Sequence, residues 1–400
     1  MKKYLIAGAN FNNKGAEAMM FACIDAIKKE DPQNEVYILL HKKTDVPINA
    51  KVVNDFIPSK LYACGGFLRF VGRVMGILKK HDFPLRELSD CMDDIDCVID
   101  VSGYNLSSDW PFMALISYLS VVIAAIKKNC KVYLFPQSFG PFKYKGISKY
   151  IDRLSRKYLP RVSQIYVREA DGEKHLEEAY HLTNVTRIAD MVLQHKSFNE
   201  ERIFSAKVNK EQIPELDKAV DIIGLVPNKK LFEKCDKEVV LELYSRMIGK
   251  INEDGGKVLI IPHTVQDMKL GKEIIEQNKT ANVEIIEKVF YAYQYEEIFK
   301  QCKYVIASRY HSVIHTFKAL KPCVILGWAI KYRELSELFD QENYAFDVRE
   351  EAFGEKAMKA LDYLRENADK ESAKIEKAYA SIGEDMCFGQ VFEALRLNHM

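Results

Sequence analysis

The stretch Cys302–Val324, CKYVIASRYHSVIHTFKALKPCV, places charged groups at the point where a strand gives way to a helix. Tyr304–Ala307 is a short apolar, β-branched run, which is typical of a buried parallel strand. Four apolar residues between positions 313 and 320 then recur with the spacing of one helix face. A strand followed directly by a helix is the repeating unit of a parallel α/β fold.

Ser308, Arg309, Tyr310 and His311 occupy this strand–helix junction. The amide groups and the dipole of a helix N-terminus favour an anion there. Arg309 can bind a carboxylate or phosphate through two hydrogen bonds, and a histidine such as His311 can transfer a proton near neutral pH. The alternative is that Arg309 pairs with a neighbouring acid and His311 caps the helix. The position at a strand end favours the functional interpretation.

The length, composition and net charge of the chain limit the classes of protein to which it can belong. A chain of 400 residues exceeds what one hydrophobic core usually organises, which predicts two domains. Its 48% hydrophobic and 29% charged content is that of a soluble globular protein. The net charge of +1 offers no electrostatic footprint for nucleic acid. The nine cysteines include no C-x-x-C pair and read as reduced residues of a cytoplasmic protein.

Neither candidate targeting segment has the length that its function requires. The N-terminal MKKYLIAGANF carries too few apolar residues for a secretory signal and predicts a first strand instead. Phe112–Ile126 is strongly apolar but falls short of the roughly 20 residues that span a bilayer. We therefore expect Phe112–Ile126 to form a buried helix.

Strand and helix patterns alternate along the chain, which predicts two parallel α/β halves. The predicted strands are Tyr4–Ala7, Val36–Leu40, Val98–Val101, Val132–Phe135, Ile165–Val167, Asp221–Val226, Lys257–Ile261, Val283–Ile286, Tyr304–Ala307 and Cys323–Leu326. The predicted helices are Ala16–Lys29, Phe112–Lys128, Ile147–Leu159, Gly172–Ala179 and a C-terminal stretch at about 351–397. The pattern dissolves into polar sequence between 194 and 218. We therefore predict domains at 1–195 and 220–400 with a junction at 196–219.

Glycine and polar residues follow the predicted strands, at the sheet edge where ligands of open α/β folds bind. In the first half they are Asn13, Gly15, Glu17, Ser102, Gly103, Tyr104, Gln137, Ser138, Arg168 and Asp190, and in the second half His263, Ser308, Arg309, Tyr310 and His311. Tyr104 could stack on a sugar, and Gln137 and Ser138 suit its hydroxyl groups. Local roles remain open for the same residues: turns, helix caps at Asn13 and Asp190, and an Arg168–Glu169 pair.

A metal site is not predicted. His311 and His315 are four residues apart on one helix face, but no glutamate follows His311 as H-E-x-x-H requires. No cysteine pair stands nearby. We interpret His315 as a packed helix residue.

The motifs together resemble the polysaccharide pyruvyl transferase family. The resemblance is carried, in order, by NFNNKGAEAM, CVIDVSGYNL, PQSFGPF, YVREADGEKHL and ASRYHSVIHTFKALKPCVIL. The chain departs from the family pattern at Ala16, where Asp is usual, and at Gly103, which stands alone where two or three glycines are common. Pro136 replaces a glycine, and Gly172 replaces a serine. The resemblance implies two doubly wound, Rossmann-like α/β domains that face a cleft, as in glycosyltransferase-B enzymes.

The same resemblance implies the reaction and its participants. The donor is phosphoenolpyruvate, a co-substrate that needs no further cofactor, and the acceptor is a sugar of a cell-surface polysaccharide or its lipid-linked precursor. Arg309, Arg168 and Lys331, a lysine that the family carries, would neutralise the donor. His311 would protonate it, and Asp190 or Glu17 would serve as base. Lys331 could equally be an ordinary surface lysine. The alternatives are a nucleotide-sugar glycosyltransferase and a non-catalytic saccharide-binding protein.

Phe67–Lys80 carries a basic amphipathic pattern. Phe67, Phe70, Val71, Val74 and Leu78 would form one face, and Arg69, Arg73 and Lys80 the other. Such a helix suits an anionic membrane surface, which would place the protein at the inner face of the membrane. A helix that covers the domain core gives a similar pattern.

Overall fold

The computed structural model describes residues 1–41, 44–78, 85–208 and 210–397, which fall into two compact units. The first comprises Met1–Phe11, Ala16–Val208 and Glu384–Met400. The second comprises Asn12–Gly15 and Asn209–Gly383. The predicted second domain, 220–400, differs from this grouping at its end, because the last helix belongs to the first unit.

The first unit is built on a parallel sheet with seven strands among the described residues. The strands are β1 (Lys3–Ala7), β2 (Glu35–Leu40), β3 (Lys51–Asn54), β4 (Cys97–Asp100), β5 (Lys131–Gln137), β6 (Gln164–Val167) and β7 (Val185–Arg187). Their order is β3-β2-β1-β4-β5-β6-β7. Helices cover the sheet: α1 (Lys14–Glu30), α2 (Ile57–Ala63), α3 (Gly66–Leu78), α4 (Glu87–Met92), α5 (Phe112–Lys127), α6 (Lys149–Tyr158), α7 (Ala170–Tyr180), α8 (Met191–Gln194) and α9 (Glu200–Ile203).

The second unit repeats this plan with six parallel strands among the described residues. The strands are β8 (Ile222–Val226), β9 (Lys257–Ile260), β10 (Val283–Ile285), β11 (Tyr304–Ala307), β12 (Cys323–Gly327) and β13 (Ala345–Asp347). Their order is β10-β9-β8-β11-β12-β13. The helices are α10 (Lys237–Glu253), α11 (Val265–Gln277), α12 (Gln294–Lys300), α13 (Tyr310–Lys318), α14 (Ile330–Glu337) and α15 (Phe353–Ser381), and α16 (Met386–Leu397) returns to the first unit.

The strand order defines one switch point in each sheet, where the direction of winding reverses. It lies between β1 and β4 in the first unit and between β8 and β11 in the second. A crevice opens at such a point beyond the carboxyl ends of the strands, and ligands bind there. Arg309 lies two residues after the end of β11 and therefore stands at the switch point of the second unit.

Three of the four edge strands, β3, β7 and β13, are absent from the predicted set, whereas the fourth, β10, was predicted. The three missed strands contain only three or four residues each. Most of their side chains are partly exposed, whereas every residue of β4, β8 and β11 is buried. A strand that is half-solvated at a sheet edge lacks the continuous apolar run by which the central strands were recognised.

Helix α16 closes the first unit with apolar side chains. Phe388 packs 4.9 Å from Phe135 between ring centroids, in a T-shaped arrangement. A buried ion-pair cluster fixes the start of this segment, because His195 bonds both Asp385 and Asp25 at 2.9 Å. The two carboxylates outweigh the effect of burial and raise the pKa of His195.

The apolar segment at Phe112–Ile126 forms α5, which is buried along most of its length, as predicted. None of the helices in the described ranges has both the length and the apolar character needed to cross a membrane.

Helix α3 covers the core but splits the apolar face predicted for it. Leu68, Val71 and Met75 pack against the core. Phe67 and Phe70 are exposed, so they do not share the environment of Val71 as the sequence pattern predicted. Lys80, the end of the predicted stretch, lies outside the described residues.

Candidate functional site

Ser308 anchors the junction between β11 and α13. Its carbonyl oxygen accepts hydrogen bonds from Asn228 Nδ2 at 2.8 Å and from the Tyr332 hydroxyl at 3.2 Å. Its side-chain oxygen lies 3.1 Å from the hydroxyl of Tyr244. Ser308 was predicted to bind substrate, but it is fully buried and supports the junction instead. These bonds hold the next residue, Arg309, at the N-cap of α13.

Arg309 reaches across to the residues that follow β9. Its Nη2 donates to Oδ1 of Asp267 at 2.6 Å and to Oγ1 of Thr264 at 3.4 Å. Thr264 also caps α11, because Oγ1 accepts from the backbone amide of Asp267 at 3.2 Å. Arg309 is therefore paired with an acid, as the alternative interpretation of the sequence predicted. The acid is Asp267, which belongs to a different helix, α11. We call His263, Thr264, Asp267 and Arg309 the Arg309 cluster.

The Arg309 cluster contains buried polar atoms that have no hydrogen-bond partner among the described residues. They are Nε of Arg309, Oδ2 of Asp267 and Nε2 of His263. A buried donor or acceptor left unpaired costs about 1–3 kcal/mol. Native structures satisfy nearly all such atoms with protein, water or ligand. The Arg309 cluster can therefore form further hydrogen bonds with a ligand, both as donor and as acceptor.

His263 is held in its neutral form. Its ring is buried, and burial together with the positive charge of Arg309 lowers its pKa well below the ordinary value. The ring lies 4.0 Å from the ring of Tyr295 between centroids. A neutral imidazole has one donor and one acceptor nitrogen, so His263 can bind a ligand without adding a charge.

His311 lies in the first turn of α13, beside the loop Asn12–Gly15 of the same unit. A Cβ atom added to Gly15 would lie 2.1 Å from Nδ1 of His311, so any side chain at this position would displace the imidazole. Asn13 accepts from the backbone amide of Gly15 at 3.0 Å, which is the predicted capping role. The structure thus brings Asn13, Gly15 and His311 together.

Lys331 and Tyr310 also meet at this edge of the second unit. Nζ of Lys331 lies 5.1 Å from the centroid of the Tyr310 ring, within the range of a cation–π interaction. Tyr310 itself is buried and contacts Tyr332 edge to face at 5.8 Å. Lys331 therefore stands beside the first turn of α13 and is not an isolated surface lysine.

A buried acid neutralises the positive charge behind α13. Glu296 lies 3.0 Å from Nδ1 of His315 and 2.9 Å from Nζ of Lys318. Burial opposes its ionisation, but the charge of Lys318 and the hydrogen bond with His315 prevail and lower the pKa of Glu296 to about 2. His315 is fully buried in this packing, in agreement with its interpretation as a packed helix residue.

The first unit presents its own polar edge after β4 and β5. Asp100 accepts from the amide and the hydroxyl of Ser102 at 3.1 and 3.0 Å, and from Nε2 of Gln137 at 3.2 Å. Burial outweighs these bonds and raises the pKa of Asp100 to about 6. Gln137 is fully buried and lies 3.3 Å from the hydroxyl of Tyr118. Ser102 and Gln137 therefore surround an acid that can change its protonation state near neutral pH.

Arg168 is enclosed by acids and loop oxygens. It donates to Oε1 of Glu169 at 2.7 Å, to Oδ2 of Asp190 at 2.9 Å, and from Nη2 to the carbonyl of Gly103 and the hydroxyl of Ser138. The other oxygen of Asp190 accepts from the amide of Val192 and caps α8. Arg168 thus pairs with Glu169 and Asp190 caps α8, which are the local roles that the sequence left open for these residues.

Two aromatic rings stand at the end of β4. Tyr104 and Trp110 pack edge to face with centroids 5.8 Å apart. The hydroxyl of Tyr104 lies 3.1 Å from the carbonyl oxygen of Gly140 and 3.2 Å from Oδ2 of Asp109. Tyr104 is partly exposed, and Trp110 is 37% exposed, so this pair is accessible to a sugar face. Glu17, by contrast, is buried in α1.

Sequence reasoning missed Asp100, Thr264 and Asp267. Asp100 ends the apolar run CVID, two residues before Ser102. Asp267 follows His263 at a spacing of one helical turn in HTVQD. An acid at the end of a buried strand or in a first helical turn is the signal that could have identified both.

Comparisons with known proteins agree with this architecture. A sequence model of the polysaccharide pyruvyl transferase family matches residues 13–329. None of the curated proteins matches the chain at the level of sequence.

Solved structures share the fold at low sequence identity. A Listeria monocytogenes protein described as a UDP-N-acetylglucosamine 2-epimerase superposes with a TM-score of 0.59 at 10% identity, covering 100% of this chain and 96% of that chain. The Anabaena protein HepE in complex with UDP gives 0.57 at 10% identity, with 100% of both chains covered. A glycosyltransferase from Rickettsia africae gives 0.57 at 11% identity, with 99% and 98% covered. These similarities show a glycosyltransferase-B-like fold of two parallel-sheet domains.

Proposed function

The chain belongs to the polysaccharide pyruvyl transferase family, and we propose that it transfers pyruvate from phosphoenolpyruvate to a saccharide as a cyclic ketal. The family match covers the motifs on which the resemblance was based, apart from residues 10–12 of the first, so the predicted family and the assignment as a transferase are confirmed. The donor and the ketal product are our proposal.

The Arg309 cluster is the observation that carries the proposal. Phosphoenolpyruvate bears a carboxylate and a phosphate, and a guanidinium binds either group in a fork geometry. Arg309 stands at the N-terminus of α13 and at the switch point of its sheet, where anions are favoured. Nε of Arg309 is buried without a partner among the described residues, so a ligand oxygen would satisfy it. Lys331 supplies a second cation beside the same helix.

The proposed chemistry begins with a proton on the donor methylene carbon. His311 donates this proton, and the adjacent carbon becomes electrophilic. One sugar hydroxyl adds to that carbon and passes its proton to a carboxylate base, the bond to phosphate breaks, and inorganic phosphate leaves with the electron pair. A second hydroxyl of the sugar then adds, and its proton returns His311 to the protonated form. The methylene has become a methyl group, and the products are a ketal and phosphate.

The first unit carries groups suited to a saccharide. Tyr104 and Trp110, which are both partly solvent-exposed, offer aromatic rings for stacking on a sugar. Asp100 is a stronger candidate for the base than Asp190, because its pKa of about 6 allows proton exchange near neutral pH. Asp190 is instead ion-paired with Arg168 and caps α8, whereas the hydrogen-bond donors to Asp100 are the neutral groups of Ser102 and Gln137. We therefore assign the acceptor to this edge of the first unit.

A nucleotide-sugar glycosyltransferase is the competing function. The observation in its favour is that fold relatives such as Anabaena HepE were solved with UDP. HepE is only 10% identical to this chain, so the binding of a UDP-sugar by this protein is a hypothesis to be tested.

The decisive assay incubates the purified protein with phosphoenolpyruvate and a panel of lipid-linked saccharides, followed by phosphate release and product mass. We expect phosphate release only with an accepted saccharide, and a product that carries the pyruvyl group. His311→Ala should lower the rate about 10²–10⁴-fold, the range for a lost acid catalyst. Val239→Ser, an exposed change on α10, is the matched control and should retain the rate. Turnover of a UDP-sugar in place of phosphoenolpyruvate would favour the glycosyltransferase.

A further inference from the structure

We propose that the outer face of α3 docks the protein onto an anionic lipid surface. The proposal is independent of the donor and the reaction, because it rests on the exposed residues of one helix. We call Phe67, Phe70, Val74 and Ile77 the α3 face.

The α3 face is apolar and solvent-exposed. Phe67 is 73% exposed, Phe70 63% and Ile77 76%, and Val74 adds 39%. The spacing of these residues, at three to four positions, places them on one side of the helix. Large exposed apolar side chains gathered on one helix are unusual for a soluble surface and mark an interaction site.

The opposite side of α3 is anchored, so this exposure is a feature of a packed helix. Leu68, Val71 and Met75 pack against the core of the first unit. Gly72 allows α3 to lie close to α2, since a Cβ atom added there would meet the carbonyl oxygen of Pro58 at 2.6 Å. One side of α3 is therefore packed against the core, and the other side, the α3 face, is exposed to solvent.

Helix α3 itself carries two arginines and no acidic side chain. Helices α2, α3 and α5 are IPSKLYA, GFLRFVGRVMGIL and FMALISYLSVVIAAIK, and none contains an acidic residue. Arg69 and Arg73 lie on the exposed surface of α3. Lys127, at the end of α5, donates from Nζ to the carbonyl oxygen of Cys64, just before α3. Apolar side chains flanked by cations match a surface of anionic headgroups over acyl chains.

This charge also argues against a second copy of the chain as the occupant. A symmetric dimer through the α3 face would place the same patch on both subunits. Arg69 and Arg73 would then approach their own equivalents without an acid on α2, α3 or α5 to offset them. An anionic bilayer removes this repulsion and buries the same apolar residues.

Vesicle flotation tests the proposal with the full-length protein. We expect binding to phosphatidylcholine vesicles that contain 30% phosphatidylglycerol, on the order of the anionic fraction that gives biological leaflets their negative potential, and much weaker binding to pure phosphatidylcholine. Arg69→Gln with Arg73→Gln should lower partitioning about 30-fold, since each cation near such a surface contributes about 1 kcal/mol. High salt should lower binding of the native protein as well.

The apolar contribution needs its own variant and a matched control. Phe67→Ser with Ile77→Ser should lower partitioning at least about 10-fold, because both side chains would otherwise insert. Val239→Ser with Leu338→Ser, two exposed apolar residues of the second unit, should leave it unchanged. Equal loss in both double variants, or no binding of the native protein, would overturn the proposal. Self-association that depends on Phe67 and Ile77, measured by sedimentation without lipid, would assign the face to a dimer and would also overturn it.

Discussion

Arg168 and Arg309 each follow the carboxyl end of a strand in a parallel sheet, yet their surroundings differ. Arg168 follows β6, and its side chain is 3% exposed and bonded to Glu169, Asp190 and two loop oxygens. Arg309 follows β11, is 24% exposed, and bonds one carboxylate, that of Asp267. Its Nε remains buried without a partner among the described residues. The same residue type at a strand end is internal support in one unit and available to a ligand in the other.

The comparison shows how a strand-end cation should be judged. A guanidinium enclosed by two acids has its charge offset and holds the loops after β4 and β5 in place. A guanidinium with unused hydrogen-bonding capacity can bind an anion. The number of acids that face the arginine distinguishes the two cases. This number depends on tertiary packing, because Asp190 and Asp267 come from elements remote from the arginines in sequence.

The largest effect should come from removing Arg168. Arg168→Ala leaves Glu169 and Asp190 buried without their cation, and breaking such a pair costs about 3–5 kcal/mol. The chain has two tryptophans, so Trp328→Phe makes Trp110 a reporter of the first unit alone during urea unfolding. Arg187→Ala removes a largely exposed ion pair with Glu173 in the same unit and is the control, with an expected loss of under about 1 kcal/mol. Equal losses would show that Arg168 is not a structural support.

The two units should also respond to pH in opposite directions. Asp100 has a raised pKa, so its contribution to stability is full below about pH 4, the ordinary range for aspartate, and declines as pH rises through about 6. This contribution is about 3 kcal/mol at most, from a shift of about two pKa units. His263 has a lowered pKa, so its contribution is present above about pH 6.5 and declines as pH falls toward that lowered value.

Single-tryptophan proteins separate these two dependences. Asp100→Asn should flatten the pH profile of the first unit between about pH 4 and 6, and His263→Gln should flatten that of the second unit below about 6.5. The comparison of each variant with its parent removes the contributions of other groups. Unchanged profiles would mean that neither buried group has the protonation behaviour described here.

A smaller effect is expected from Arg309→Lys. The lysine keeps a positive charge beside Asp267, so the stability of the second unit should change little. The fork geometry is lost, and with it a charged hydrogen bond to the donor of about 1.5–3 kcal/mol. The Michaelis constant for phosphoenolpyruvate should rise roughly 10–100-fold while the fold is retained. An unchanged constant would contradict the role of Arg309.

The smallest effect should follow from Thr264→Val. The change removes the cap of α11, worth about 1 kcal/mol, and the long hydrogen bond from Arg309. Thr264→Ser keeps the hydroxyl and should restore both stability and donor affinity. Equal behaviour of the two variants in thermal unfolding would show that the hydroxyl is not the stabilising group.

The sequence predicted the central strands and the residues at their ends, because buried parallel strands are apolar and ligands bind at one edge. The strand Tyr304–Ala307 was predicted to the residue. Three of the four edge strands, β3, β7 and β13, were missed because they are short and half-solvated. The exposure of Phe67 could not be separated from the core contact of Val71 by helical spacing alone. Asp100 and Asp267 were missed because their significance lies in burial and in partners that only the folded chain brings together.

Calorimetric titration of phosphoenolpyruvate into the native protein, Arg309→Ala and Arg246→Ala tests the central claim most directly. We expect the native protein to bind the donor, Arg309→Ala to lose this binding, and Arg246→Ala, which removes a partly exposed arginine of α10, to retain it. Binding of phosphoenolpyruvate that is unaffected by Arg309→Ala would contradict the account. Binding of UDP-sugars with none of phosphoenolpyruvate would contradict it as well.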